Sequence, residues 1–208
     1  MPSSNAVVYD AIRIFRDATF ERIRDSAKKS SGSKYLFELR EIIGKERWDD
    51  NVRSARQLRA ARVITQPLID DLDAQDVSDL PSLLEKKYDH VVDVKGQKPE
   101  LMAALRDIAF ARNGVAHPAA TTIPIEDARR IGGRLSSAAS IIFGEPTKAF
   151  QNIAHAIGQL YDYQPPDLRP LSKSLPPRSE VVSYFVGRES EMRTLFFHGL
   201  PHHSNYGF

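Results

Sequence analysis

The sequence predicts an all-α fold for most of its length on three observations. Apolar residues recur at helical spacing, glycine and proline punctuate the chain at intervals of about one helix, and no β-alternation of useful length occurs before Tyr163. Over residues 7–27, Val8, Ile12, Phe15, Thr19 and Ile23 fall about 3.6 residues apart and make one stripe on a long amphipathic helix. The Ser-Ser-Gly-Ser run at residues 30–33 should break it. A second helix fits residues 35–47 through Leu36, Leu39, Ile42 and Ile43, and a third, arginine-rich one fits residues 52–64 or begins slightly earlier, with Pro67 beyond it. Residues 68–78 are acidic and turn-rich, after which Pro81 suits the first position of a helix reaching about residue 92. Gly96 marks the next break. Pro99 can start a helix through Leu101, Leu105, Ile108 and Ala109, and Pro118 should end it, because the residue before proline disfavours helical geometry. Residues 125–143 form another helix despite Gly132-Gly133, and residues 146–161 the last, with Gly144 between them.

A chain of 208 residues suffices for one good core. After Tyr163 the composition changes: Pro165, Pro166, Pro170, Pro176 and Pro177 with Ser172, Ser174 and Ser179 bury little apolar surface. The expected organisation is therefore a helical domain over residues 1–162, an extended Pro/Ser-rich linker over 163–180, and a short C-terminal segment over 181–208. No apolar run approaches the roughly 20 residues that span a bilayer, and no signal-peptide pattern opens the chain, so a soluble cytoplasmic protein without a membrane partner is expected. The absence of cysteine excludes disulfides, thiolate zinc sites and cysteine nucleophiles.

The net charge of +2 says little about nucleic acid, but its distribution is uneven. Arg13, Arg16, Arg22, Arg24, Lys28, Lys29, Arg53, Arg56, Arg59 and Arg62 crowd the first third, whereas residues 70–93 are acidic. This asymmetry permits a basic face for phosphates on the first and third helices, with solvated helix faces as the plainer alternative.

The segment Arg112-Asn113-Gly114-Val115-Ala116-His117 carries the chemistry. Cleaving RNA without metal requires a base for the attacking 2′-hydroxyl, an acid for the leaving 5′-oxygen, and cationic donors around the phosphate. A histidine titrating near about 6.5 can serve as base or acid, and a guanidinium holds two phosphate oxygens in a planar fork. On an ideal helix Arg112 and His117 point about 140° apart, whereas Asn113 and His117 share a face. Loosening of the last turn at Gly114 and Pro118, or completion of the site by a second subunit, would relieve this mismatch. The structural alternative is that Asn113 and His117 simply end a helix, the imidazole meeting its last carbonyls.

Arg112 to His117, followed by Pro118 and preceded by Leu101-Met102-Ala103-Ala104-Leu105-Arg106-Asp107-Ile108, resembles the signature of HEPN domains, in the subgroup that reads Arg-Asn-x-x-Ala-His-Pro at the end of a core helix. Asp70-Asp71-Leu72-Asp73-Ala74-Gln75-Asp76 and then Leu83-Leu84-Glu85-Lys86-Lys87-Tyr88 resemble it too; the similarity covers roughly residues 5–161 and is specific around the motif. The resemblance implies an all-α bundle and a homodimer that brings two motifs together. It also implies a cofactor-free endoribonuclease leaving cyclic-phosphate and 5′-hydroxyl ends, of the kind used as a toxin or antiviral effector, with an antitoxin or a larger defence complex as further partners. In it Arg112 would bind the scissile phosphate, His117 would handle protons and Asn113 would orient them. Some HEPN members are non-catalytic dimerisation or RNA-binding modules; for such a module, apolar substitutions near Leu105 or Ile108 would be expected to disturb the dimer.

At the C-terminus, Tyr184-Phe185-Val186-Gly187-Arg188-Glu189-Ser190-Glu191-Met192 resembles the opening of STAND-type ATPases. No Gly-x-x-x-x-Gly-Lys-Ser/Thr loop follows, so ATP hydrolysis by this chain is not expected, and the segment reads as a truncated start of such a domain or a docking tail. His198, His202 and His203 make a poor zinc site beside Pro201 with no carboxylate nearby. His90 and His155 read as packing or surface histidines on helices, and Trp48 as a core or interface aromatic.

Overall fold

The stripe that begins near Val8 organises the molecule. In the computed structural model, which describes residues 4–61, 68–92, 94–116, 123–145 and 147–161, α1 runs Ser4–Ser31 and buries Val8, Ile12, Phe15, Phe20, Ile23 and Ala27 along one face. Thr19 fits this apolar stripe because its hydroxyl donates to the carbonyl of Phe15 one turn back, at 2.7 Å. The serines at 30 and 31 do not end the helix. Gly32 does, at φ +55°, a conformation that costs glycine little, and a 3-10 turn Gly32–Lys34 follows.

The break between the second and third expected helices lies earlier than expected, at Gly44. α2 spans Tyr35–Ile43 and α3 spans Lys45–Ala60, because Gly44 takes φ +101° and turns the chain between them. The periodicity of Leu36 to Ile43 merged smoothly with the residues beyond, which hid a break made by one glycine. The expectation that α3 continues through residues 62–64, and the role of Pro67, fall outside the described residues. Residues 68–79 form two 3-10 turns, Asp71–Ala74 and Val77–Asp79. α4 then spans Leu80–Val91 with Pro81 in its first turn, α5 Lys98–Ala116, α6 Ile125–Phe143 and α7 Lys148–Tyr161. Among the described residues there is no strand, so the fold is all-α as expected.

α1 packs against α5, α6 and α7 and also meets α2 and α4. Phe15, Phe20, Leu39, Leu83, Leu101, Leu105, Ile108 and Leu135 are fully buried in the shared core. Trp48 belongs to that core, with Val52 and Ala55 completing the single apolar stripe of α3. Tyr88 fastens the α4–α5 turn: its hydroxyl donates to the carbonyl of Val94 at 3.1 Å and accepts from the backbone N–H of Gln97 at 3.0 Å.

α6 and α7 approach closely at Gly132, where an added Cβ would lie 2.9 Å from Cγ2 of Ile157 and 3.1 Å from Cδ1 of Leu160. Gly133, its neighbour, has open space around it. Opposite outcomes are expected for two adjacent substitutions. Gly132→Ala should destabilise by about 1–3 kcal/mol through overpacking against a stiff β-branched side chain. Gly133→Ala should stabilise by about 0.5–1 kcal/mol through helix propensity. Urea denaturation of the pair checks this, and a loss of stability at both positions would contradict it.

Contacts between Cα atoms divide the chain into Met1–Gln164 and Pro165–Phe208, and every described residue belongs to the first unit. The Pro/Ser-rich stretch at 163–180, the ATPase-like opening at 181–208 and the histidines His198, His202 and His203 lie outside the described residues.

Candidate functional site

The charge asymmetry of the sequence has an internal explanation. Every aspartate between 70 and 79 meets an arginine from elsewhere in the fold. Arg24 of α1 bonds Asp70 at 2.7 Å and also bonds Asp73; Arg56 of α3 meets Asp71 at 3.2 Å, and Arg47 meets Asp79 at 2.5 Å. Arg112 of α5 meets Asp76 at 2.6 Å. Arg16 reaches the same segment through backbone carbonyls, donating to Gln75 at 2.9 Å and also to Asp73. Of the cations that suggested a phosphate-binding face on the first and third helices, Arg16, Arg24 and Arg56 are spent on the chain's own acidic segment, and with Arg47 and Arg112 they clamp it to α1, α3 and α5.

The centre of this clamp is buried. Side chains of Arg24 and Asp70 are 7% and 10% exposed, and the Tyr35 hydroxyl also donates to Asp70, at 2.6 Å. Among the described residues no buried side-chain nitrogen or oxygen lacks a partner, which is the condition under which buried charges are tolerated. Burial alone would raise the Asp70 carboxyl, but its hydrogen bonds from Arg24 and Tyr35 outweigh that and hold it below the usual value of 3.8. Burial and the bond to Asp70 push the Tyr35 phenol up to about 12. Glu38 is held low by hydrogen bonds from Lys87 and Ser31, whereas burial pushes Asp79 up despite Arg47.

These directions fix the sign of the acid response. Asp70 and Glu38 have depressed folded-state values, so their stabilisation is complete above the unfolded values of 3.8 and 4.5 and is lost as pH falls through the folded ones. Asp79 acts oppositely, its contribution being full below 3.8 and lost as pH rises through its raised folded value. A melting series from pH 6 downward should show acid destabilisation that is shallower in Asp70→Asn; identical slopes would contradict the assignment.

The described part of the motif, Arg112 to Ala116, lies in the last turns of the core helix α5 as that helix is described. Arg112 and Asn113 are brought together, the guanidinium Nη1 donating to Asn113 Oδ1 at a long 3.4 Å. α5 keeps α-helical geometry through Ala116, and Gly114 sits inside it with open space around its Cα. The loosening expected of Gly114 is thus not found up to Ala116: glycine lowers helix propensity, but the buried residues Leu101, Leu105, Ile108 and Ala111 hold the helix regular. His117 and Pro118 lie outside the described residues. Ile123, just before α6, is bonded to the first turn of α1: its N–H donates to Asn5 Oδ1 at 2.7 Å and its carbonyl accepts from Ser4 Oγ at 2.8 Å.

Leu105 and Ile108 are fully buried inside the protomer, so substitutions there act on the fold and do not report on a dimer face as expected. The exposed stripe of α5 instead carries Arg106, Phe110, Asn113 and Gly114, and Phe110 is 82% exposed. On the other side of the helix, Arg112 opens into a groove of about 940 Å³, lined also by Tyr9, Arg13, Asn51, Asp76 and Asn152. Its charge is balanced, with Arg13, Arg16, Arg24 and Arg112 facing Asp17, Glu21, Asp73 and Asp76. His90 and His155 are exposed on their helices.

Asp76 was not singled out by its residue type or spacing. The available signal was Asp76 followed three residues later by Asp79, the spacing of a capping box, which the structure contains. Among the described residues no helix is long and apolar enough to cross a membrane. No protein-family model matches the chain, and no curated protein or solved structure matches it.

Proposed function

We propose that the chain is a HEPN-type, metal-independent endoribonuclease that works in the cytoplasm as a homodimer, in the manner of a toxin or antiviral effector. The observation that carries this reading is the placement of Arg112 at the end of α5, with its guanidinium at an open groove and Asn113 against it. Arg112 would hold the scissile phosphate, His117 would take the 2′-hydroxyl proton or protonate the leaving oxygen, and Asn113 would orient them. The regular helix through Ala116 favours completion of the site by a second subunit over loosening of the last turn. Incubated with RNA in EDTA, the protein should release cyclic-phosphate ends, and His117→Ala should slow this by about 10²–10⁴-fold. Equal rates in the mutant would sink the assignment.

Because Arg16 and Arg24 are engaged by the acidic segment, few groove cations remain for phosphates. Single-stranded RNA affinity should therefore fall with salt at a log–log slope of about −1.4, roughly −0.7 for each of two phosphates. A slope several times steeper would require a different basic surface.

A second reading has its own support. Phe110, 82% exposed on the motif helix, suits an association face and fits a non-catalytic dimerisation or RNA-binding module attached to an NTPase sensor. Both readings require a dimer. Sedimentation of Phe110→Glu should show monomers with an unchanged melting temperature, and only the RNA assay separates the two.

A further inference from the structure

The geometry points to Asp76 as the positioning residue of Arg112, its fixed carboxylate setting where the guanidinium stands and hence where a phosphate is held. The inference rests on the ribonuclease reading above. An arginine side chain has several rotatable bonds and does not by itself hold one place. Asp76, by contrast, is fastened on both sides in sequence. Its Oδ1 accepts from the Ser78 N–H at 3.1 Å and the Ser78 hydroxyl at 3.0 Å, and its own N–H donates to Asp79 Oδ2 at 2.9 Å. Asp79 and Gln75, its anchors, are 2% and 1% exposed. Gln75 accepts Arg16 at its carbonyl and Asn51 at its side chain, at 2.9 Å each.

The carboxylate is therefore the immobile member of the pair, and Arg112 Nη2 is drawn to it at 2.6 Å. One contact of this kind uses only part of the guanidinium, and the remaining N–H groups are left to bind phosphate oxygens. The cost is electrostatic, since a carboxylate beside the phosphate site weakens ground-state attraction. A group that orients while weakening attraction acts on kcat more than on KM.

Asparagine caps a helical turn about as well as aspartate does, so Asp76→Asn removes the charge and keeps the cap. In RNA cleavage under EDTA this variant should lose on the order of 100-fold in kcat, with KM unchanged or lower and the melting temperature near wild type. In an Arg112→Ala background the same change should cost nothing further, because it acts through Arg112. If the asparagine variant does not fold, Asp76→Ser, another capping residue, is read in the same way. A kcat within about twofold of wild type, a rise in KM alone, or an additive loss on top of Arg112→Ala would overturn the positioning role. Wild-type protein that leaves RNA uncut would overturn the ribonuclease reading and this inference together. Wild-type cutting with an unchanged Asp76→Asn would overturn this inference alone.

Discussion

Arg24→Ala should lower the unfolding free energy by about 3–5 kcal/mol, a large share of the roughly 5–15 kcal/mol that holds a domain of this size. Arg24 is the shared partner of Asp70 and Asp73, and removing it leaves two carboxylates facing each other with only Tyr35 and backbone donors to satisfy them. Coulomb repulsion between them adds to the cost of the unpaired buried charge. The loss should be visible as a shift of the urea midpoint at pH 7, and it should shrink when Asp70→Asn is added, since the second change removes the orphaned charge. Equal and additive losses from the two substitutions would show that the pair is not coupled.

Leu105→Ala should cost about 2–5 kcal/mol, the range for emptying a fully buried leucine site. Leu105 lies two turns before Arg112 on the same helix, within the core that α5 shares with its neighbours, and has no exposed surface. Any loss of activity in this variant should follow its melting temperature and return when the protein is assayed well below that temperature. Phe110→Glu should behave in the reverse way, leaving the melt unchanged while altering association. The two substitutions, five positions apart on one helix, separate folding from assembly.

Most of the helical layout was legible in the sequence because periodic apolar stripes decide it. Ile125–Phe143 emerges with the expected limits despite two glycines, since Ala128, Leu135, Ala138, Ala139 and Ile142 supply enough buried surface to offset them. The split at Gly44 was not legible. A glycine at positive φ looks in sequence like any tolerated helical glycine, and only the turn between α2 and α3 gives it meaning. At the candidate site, residue types pointed to Arg112 and Asn113, whereas the helix end expected at Pro118 lies outside the described residues. Asp76 stayed hidden because its contact with Arg112 joins residues far apart in sequence, and an acidic run by itself is indistinguishable from a solvated surface loop. The partners of Arg16, Arg24 and Arg56 were hidden for the complementary reason: composition records how many cations there are and says nothing of the partners they have met.

The bond between Ser4 and the Ile123 carbonyl joins residues 119 positions apart. Closing so long a loop is slow and entropically costly, and it comes after local helices have formed. During synthesis α5 therefore forms through Ala116 before the chain beyond it can be tied down, because Ile123 must first emerge and find the first turn of α1. An alteration at Ser4 or Asn5, in the first turn of α1, would therefore act at Ile123, shortly after the segment on which the proposed chemistry depends.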